Sequence, residues 1–404
     1  MSQSYQVEME LLICCARAQL TPDDERRLQA LLTRPIHWEN LRRLAEYHKM
    51  IPLLFHHLSR HVTEAIPAEW MAQLRQAAHG HVVWNYHQLE NLRHLIVRLE
   101  AHDIPVIPYK GVALSLRLYG GLELRHTGDL DIIVPPAAYA PAKALLEAEG
   151  LRCPYPMTAA EEVQLVREYG ELSLWSEERN LVLELHWGIS PRYFSFPLAA
   201  MNLWAESEWQ EFNGCRWRMP SDEDTLILLC VHGAIHAWST LKWISDIAEL
   251  MRTPQRINWE QVLMRARVLR SERMVLVGLW LAHQLLAAPL PVQVQQRIAQ
   301  SFIVKRLVAS IITRLQRGKK QPATLAIMPF HLLIREHWQD QWKYRTILSL
   351  SLRRNWQRAC NDAEASFFRT FLRPARLVKL FAQIAVREWR ATKSTSSIVR
   401  SNAA

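Results

Sequence analysis

Apolar positions recur at helical spacing through the first part of the chain. They fall at Met9, Leu11, Leu12 and Cys15, then at Leu28, Leu31 and Leu32, then at Leu41, Leu44 and His48, with Pro35 and Pro52 as interruptions. This pattern predicts a helical lead-in domain over residues 1–95. From 96 to 220 the apolar runs shorten and alternate, as strands with one buried face do. Within that region Ile104-Pro-Val-Ile-Pro-Tyr109 reads as a short buried strand, and Val112, Leu114, Leu118 and Tyr119 mark a helix directly after it. A third regime starts at Pro220-Ser-Asp-Glu-Asp224, where Ser221 is the predicted N-cap, Asp224 stands in capping-box position and the acids complement the helix dipole. Helical segments follow at 226–237, 241–251, 259–268 and 272–288. The predicted fold class is α+β, with a small mixed β-sheet core at 96–220. A helical domain precedes that core, a larger C-terminal helical domain follows it at 221–390, and 391–404 reads as a flexible tail.

Candidate chemistry concentrates in the middle region. In Arg125-His-Thr-Gly-Asp-Leu-Asp-Ile-Ile-Val134, read as a strand, Asp129 and Asp131 share one face while Leu130, Ile132 and Val134 share the other. Two adjacent carboxylates repel, and a divalent cation removes the conflict. Mg²⁺ in particular takes one or two carboxylates completed by water and phosphate oxygens. Just upstream, Lys110-Gly111 stands at a strand-to-helix turn, where a glycine lets backbone N–H groups approach an anion and the helix N-terminus favours negative charge. Arg125 adds a second cation near the aspartates, suited to bidentate phosphate binding. The alternating run Asn180-Leu-Val-Leu-Glu-Leu-His-Trp187 predicts another strand, with Glu184 and His186 on one face opposite Leu183 and Leu185. Glu184 is the candidate third acid of a two-metal site.

These residues, with Leu114, Leu118, Tyr119, Gly128-Asp-Leu-Asp131, Glu184-Leu-His-Trp187, His232-x-x-x-His236 and Leu241-Lys-Trp-Ile-Ser-Asp246, resemble the uncharacterised nucleotidyltransferases of the polymerase-beta-type superfamily over roughly residues 95 to 290. The resemblance implies a nucleotidyltransferase core at 96–220. It further implies Mg²⁺ or Mn²⁺ on Asp129, Asp131 and Glu184, with a nucleoside triphosphate held by Lys110, Gly111, Arg125, His186 and Asp246. The reaction implied is transfer of a nucleoside monophosphate to an unidentified acceptor, a small molecule, sugar, peptide or protein, with release of pyrophosphate. The chain departs from the superfamily in two places: Lys110-Gly111 replaces the usual Gly-Ser pair, and Glu184 stands where aspartate is commoner. A silent nucleotide-binding sensor or scaffold, and a phosphotransferase using the same site, are the alternatives.

Each motif also has a plainer reading. Asp-x-Asp pairs are common at strand edges, Arg125 has ion-pair partners available in Glu123 and Asp129, His186 beside Trp187 suits a partly buried imidazole, and Asp246 suits a brace between helices. His232 and His236 stand one helical turn apart, a spacing open to zinc, but no third ligand follows at a matching distance and packing is the favoured role. With 404 residues, 49% hydrophobic and 22% charged, the chain has room for two or three domains with a sizeable core. Its net charge of +10 is spread among many arginines rather than condensed, which does not favour a nucleic-acid acceptor. Six cysteines without a Cys-x-x-Cys pair, and an N-terminus without a signal pattern, predict a cytoplasmic protein with reduced thiols. The apolar stretch 274–290 is short for a bilayer span and reads as a buried helix. At 367–390, alternating apolar and basic residues suit either a packed terminal helix or peripheral contact with an anionic membrane.

Overall fold

The computed structural model describes residues 6–60, 65–154, 157–212, 214–253, 257–316 and 324–346. The helical start comprises α1 (Gln6–Cys14), α2 (Pro22–Leu32), α3 (Trp38–His48), α4 (Ile51–Leu58) and the long α5 (Ala68–Glu100). Thr21 begins α2 with a full capping box, its side chain accepting from the Asp24 N–H while the Asp24 carboxylate accepts from the Thr21 N–H. The expected boundary at 95/96 falls inside α5, whose last turns bury Leu92, Leu95, Ile96 and Leu99 against the sheet.

The middle of the chain runs β1 (Ile107–Pro108), α6 (Gly111–Tyr119), β2 (Leu130–Ile133), α7 (Tyr139–Ala148), α8 (Ala159–Glu168), β3 (Glu171–Ser176), β4 (Leu181–His186), α9 (Leu203–Glu206), β5 (Glu208–Phe212) and β6 (Cys215–Met219). Four strands form a mixed sheet in the order β1-β2-β4-β3; only the central β2–β4 pair is parallel. The edge strand β1 is shorter than the predicted run 104–109 because Pro105 and Pro108 carry no N–H to extend the ladder. Strands β5 and β6 form a separate hairpin, and Trp217 and Met219 from it join the sheet's core.

Alternation along the central strands decides where chemistry lies. Leu130, Ile132 and Val134 point into the core beneath the sheet with Leu181, Leu183 and Leu185, whereas Ile133 belongs to the core on the other side. Asp131, between Leu130 and Ile132, therefore faces the helical part of the molecule.

That part comprises α10 (Asp222–Ile235), α11 (Leu241–Arg252), α12 (Trp259–Val268), α13 (Glu272–Leu286), α14 (Val292–Ala299), α15 (Phe302–Gln316) and α16 (Thr324–Ile334). Ser221 caps α10 by accepting from the Asp224 N–H, but the Asp224 carboxylate turns to Arg265, so the cap is one-sided. Helix α13 is buried on nearly every side against α10, α11 and α15, as a helix apolar all round must be. No helix among the described residues is long and apolar enough to cross a membrane. The N-terminal helices share one hydrophobic core with α10, α11 and α13, and polar ties reinforce it: Ser245 Oγ donates to Ala16 O at 2.6 Å and the Ala18 N–H to Glu249 Oε1 at 3.2 Å. Cys14, Cys15, Cys153 and Cys230 are free thiols. The basic positions Arg317, Lys319 and Lys320, the amphipathic segment 367–390 and the tail 391–404 lie outside the described residues.

Candidate active site

The site grows from the parallel pair β2–β4, whose register sets Asp131 directly beside Glu184 and Ile133 beside His186. Two carboxylates 53 positions apart in sequence thus lie on adjacent strands of one sheet face. His186 Nε2 stands 3.3 Å from Asp131 Oδ1 and 3.5 Å from Glu184 Oε2, so Asp131, Glu184 and His186 offer ligand atoms within 4.8 Å of one another. Glu171, paired across β3–β4 with His186, brings its carboxylate to 3.5 Å from His186 Nδ1. Asp129 stands one residue before β2 rather than within it, half-buried and outside that cluster of three.

Lys110 and Gly111 occupy the turn between β1 and α6, as the strand-Lys-Gly-helix order predicts. Gly111 has φ +59°, and a Cβ there would lie 3.1 Å from the Asp129 carbonyl oxygen, so the turn needs glycine for its conformation and for its close approach to the aspartate loop. The Lys110 ammonium lies 2.7 Å from Asp131 Oδ1, over the Tyr109 ring and 3.4 Å from His232 Nδ1. Burial disfavours both charges, but each stabilises the other: Asp131 is held well below the usual carboxylate range and Lys110 well above the usual ammonium range. His186 is raised to about 9; burial opposes this, and hydrogen bonding to Asp131 and Glu184 outweighs it. Asp129 moves the other way, pushed up by burial and by the charge of Asp131.

Arg125 and Asp246 meet each other. Arg125 Nε and Nη2 donate to the two Asp246 oxygens at 2.8 and 2.9 Å, Nη1 donates to Gly111 O at 2.8 Å, and Tyr119 OH donates to Asp246 Oδ1 at 3.1 Å. Asp246 is fully buried and Arg125 nearly so, which leaves neither carboxylate nor guanidinium face open to a nucleotide. The pair locks α11 to the Lys110-Gly111 turn instead, and Arg125 finds its partner in Asp246 rather than in Glu123 or Asp129.

The model of the family of uncharacterised nucleotidyltransferases matches residues 34–287, more than half of the chain and all of the elements just described. The chain belongs to that family. No curated protein matches it.

For a nucleotidyltransferase, the donor set at Asp131, Glu184 and His186 suits a divalent cation. Two carboxylates are a normal complement for Mg²⁺, which completes its shell with water and phosphate, and an added imidazole suits Mn²⁺ also. Lys110 and a protonated His186 neutralise these carboxylates in the metal-free chain, so a divalent ion would have to displace the His186 proton before the imidazole could ligate it. Tyr109 OH lies 3.5 Å from His186 Nε2, so ring and phenol hold the imidazole in place. His232 and His236 pack on Trp243 and on each other, and neither joins a group of three potential ligands among the described residues.

Two functional features of the nucleotidyltransferase escape a reading of motifs. Asn85, fully buried in α5, donates to Leu122 O at 2.6 Å and to Arg125 O at 2.8 Å and accepts from Thr127 Oγ1, holding the loop that leads into Asp129. An asparagine inside a long helix far from the motif carries no local signal for this. Lys242, at the start of α11, reaches His126 O at 3.4 Å and sits in the field of Asp129, Arg125 and Lys110.

Proposed function

We propose that this chain moves a nucleoside monophosphate from a nucleoside triphosphate to an acceptor hydroxyl or phosphate, releasing pyrophosphate, with Mg²⁺ or Mn²⁺ held by Asp131 and Glu184 and approached by Asp129. The observation that carries the reading is the register Asp131–Glu184 across a parallel strand pair, at the end of a sheet whose neighbouring turn is Lys110-Gly111. A bound divalent cation supplies the charge that stabilises the developing negative phosphoryl oxygens and lowers the pKa of the attacking hydroxyl.

The residues of the chain do the rest. Asp131, fixed by Lys110 and His186, presents a carboxylate that is ionised at every physiological pH. Glu184, partly exposed beside it, is placed to take the acceptor proton at Oε2, with His186 Nε2 as its neighbour at 3.5 Å. The first turn of α6, which Gly111 brings close to the aspartate loop and which has no side-chain N-cap, would supply N–H donors for phosphate oxygens. Lys110 pairs with Asp131 at 2.7 Å, and His186 is the basic group beside Glu184. Arg125 and Asp246 position this turn from behind, and the expected contacts of these two with nucleotide give way to that bracing role.

The test is transfer from α-labelled nucleoside triphosphates into a metabolite and protein extract by the purified full chain, read with pyrophosphate release. Asp131→Asn and Glu184→Gln should each lower the rate at least about a hundredfold, the scale of losing a metal ligand or a base, with the far-ultraviolet circular dichroism unchanged. Normal turnover by either variant rejects the assignment. Label moving from the γ position instead identifies a phosphotransferase, and nucleotide binding without pyrophosphate release identifies a sensor.

A further inference from the structure

Beside the acids, four basic residues from four separate segments converge without acidic partners. His126, three residues before Asp129, places its Nδ1 3.1 Å from Nδ1 of His81 on α5, with ring centroids 4.3 Å apart and edge to face. Lys242, in the first turn of α11, reaches the His126 carbonyl at 3.4 Å; Lys49, at the left-handed end of α3, follows His48, which accepts from the N–H of Leu241 beside Lys242 at 3.3 Å, and its charge bears on both imidazoles. Among the described residues none of the four forms an ion pair. The acids whose fields reach Lys242 are Asp246, already neutralised by Arg125, and Asp129, which is not within ion-pair distance. His81, His126 and Lys242 are half-buried and Lys49 is exposed, so none of the four is sealed from solvent.

Such an arrangement is costly without a ligand. Burial and the charge of Arg125 press the Lys242 ammonium down to about 8, and the two imidazoles are pushed below their usual range by burial and by the surrounding cations. The Nδ1···Nδ1 contact also dictates tautomers. One ring donates through Nδ1–H, and the other, accepting there, carries its own proton on Nε2, so it keeps an N–H for a second partner. Two imidazoles and two ammonium groups provide N–H donors and no carboxylate acceptor, which is the chemistry that binds a phosphate oxyanion.

We infer that Lys49, His81, His126 and Lys242 form a phosphate-binding site flanking Asp129, which receives an anionic group of one of the two substrates. The inference rests on the nucleotidyl-transfer reading only for which phosphate compounds arrive. The same chemistry serves the β,γ end of the triphosphate or an anionic group carried by the acceptor. In either case the site spans the lead-in helices, the aspartate loop and α11, so substrate binding ties those three parts together.

Calorimetric titration of the full chain with pyrophosphate and with inorganic phosphate, in metal-free buffer, reads the site without any turnover. Wild-type protein should bind pyrophosphate, Lys242→Met and His81→Gln should each weaken it about tenfold or more, and Lys242→Arg, which keeps the charge, should retain most of the affinity. Pyrophosphate displaced by a saturating non-hydrolysable nucleoside triphosphate assigns the site to the triphosphate tail. Binding that persists beside the nucleotide assigns it to the acceptor. No binding by wild type, or equal binding by Lys242→Met and His81→Gln, overturns the inference. If no nucleotide transfer is ever detected while these anion data hold, the proposed reaction fails and the phosphate site stands.

Discussion

Arg125 illustrates how one residue changes meaning once its partner is known. From sequence it is a phosphate-binding cation four positions from Asp129; in the fold its guanidinium is buried and bonded to both Asp246 oxygens and to the Gly111 carbonyl. Removing one member of a buried ion pair strands the other's charge, which costs about 3–5 kcal/mol. Arg125→Met should therefore destabilise the protein on that scale in urea unfolding, with the double variant Arg125→Met, Asp246→Leu recovering part of the loss. A variant of unchanged stability with only a raised KM for nucleotide would return Arg125 to the role of phosphate ligand. Asp131 and Glu184 were legible as acids at the ends of alternating runs, because alternation alone fixes their face. Their adjacency was not, because register between two strands with 47 residues between them depends on the whole sheet. Nor does sequence order reveal that Asp129 stops short of β2 while His186 comes between the other two.

At the scale of elements, the corner between α10 and α11 carries the strongest constraint. Ala237 and Trp238 are consecutive non-glycine residues in the left-handed region, at φ 48° and 54°. The buried Trp238 ring holds them there by filling a slot above two glycines: a Cβ at Gly233 would lie 2.4 Å from that ring, and one at Gly278 would lie 2.7 Å from Cys230 Sγ and 2.9 Å from the ring. Left-handed backbone at such residues costs about 1–2 kcal/mol each and persists because the packing over-determines it. The corner brings His232 to Lys110 and Lys242 to the His126 carbonyl. Gly233→Ala should overpack this slot, lowering stability by about 1–3 kcal/mol in thermal or urea unfolding and weakening pyrophosphate binding through Lys242. Unaltered melting by that variant would mean the ring has room to shift. The helices on either side were legible from period and capping, with 241–251 and 259–268 close to the α11 and α12 observed. Strand β3 was equally readable in principle, since Glu171–Ser176 alternates strictly between exposed and buried, yet nothing in the run itself says that it lies antiparallel to β4 and brings Glu171 to His186.

Across the described residues, the helices before the sheet and those after it share one core. His48 shows the consequence in pH. Fully buried at the end of α3, it accepts from the Leu241 N–H at 3.3 Å and so joins the N-terminal helices to the first residue of α11. Burial depresses its pKa to about 4 from an ordinary 6.5. The unfolded chain then binds a proton that the folded chain refuses, so the stability this neutral imidazole confers is complete above about pH 6.5 and declines as pH falls towards 4. The loss amounts to at most about 3 kcal/mol from this one group. Urea unfolding between pH 7 and pH 4 should show that decline, and His48→Gln should make it shallower by this one group's share, the other histidines depressed by burial keeping theirs; an identical slope in the variant would remove His48 as a contributor.

The sequence by itself determined the α+β class, the placement of the helical segments and the nucleotidyltransferase family, and it singled out the candidate acids, because periodicity, capping and short motifs are local and each residue carries its own part. Tertiary structure decided which acids meet, which cations are already paired and which remain open. Those outcomes depend on strand register, on burial that removes Asp246 from solvent, and on helices from both ends of the chain closing over one sheet face, and no stretch of residues encodes such long-range choices on its own.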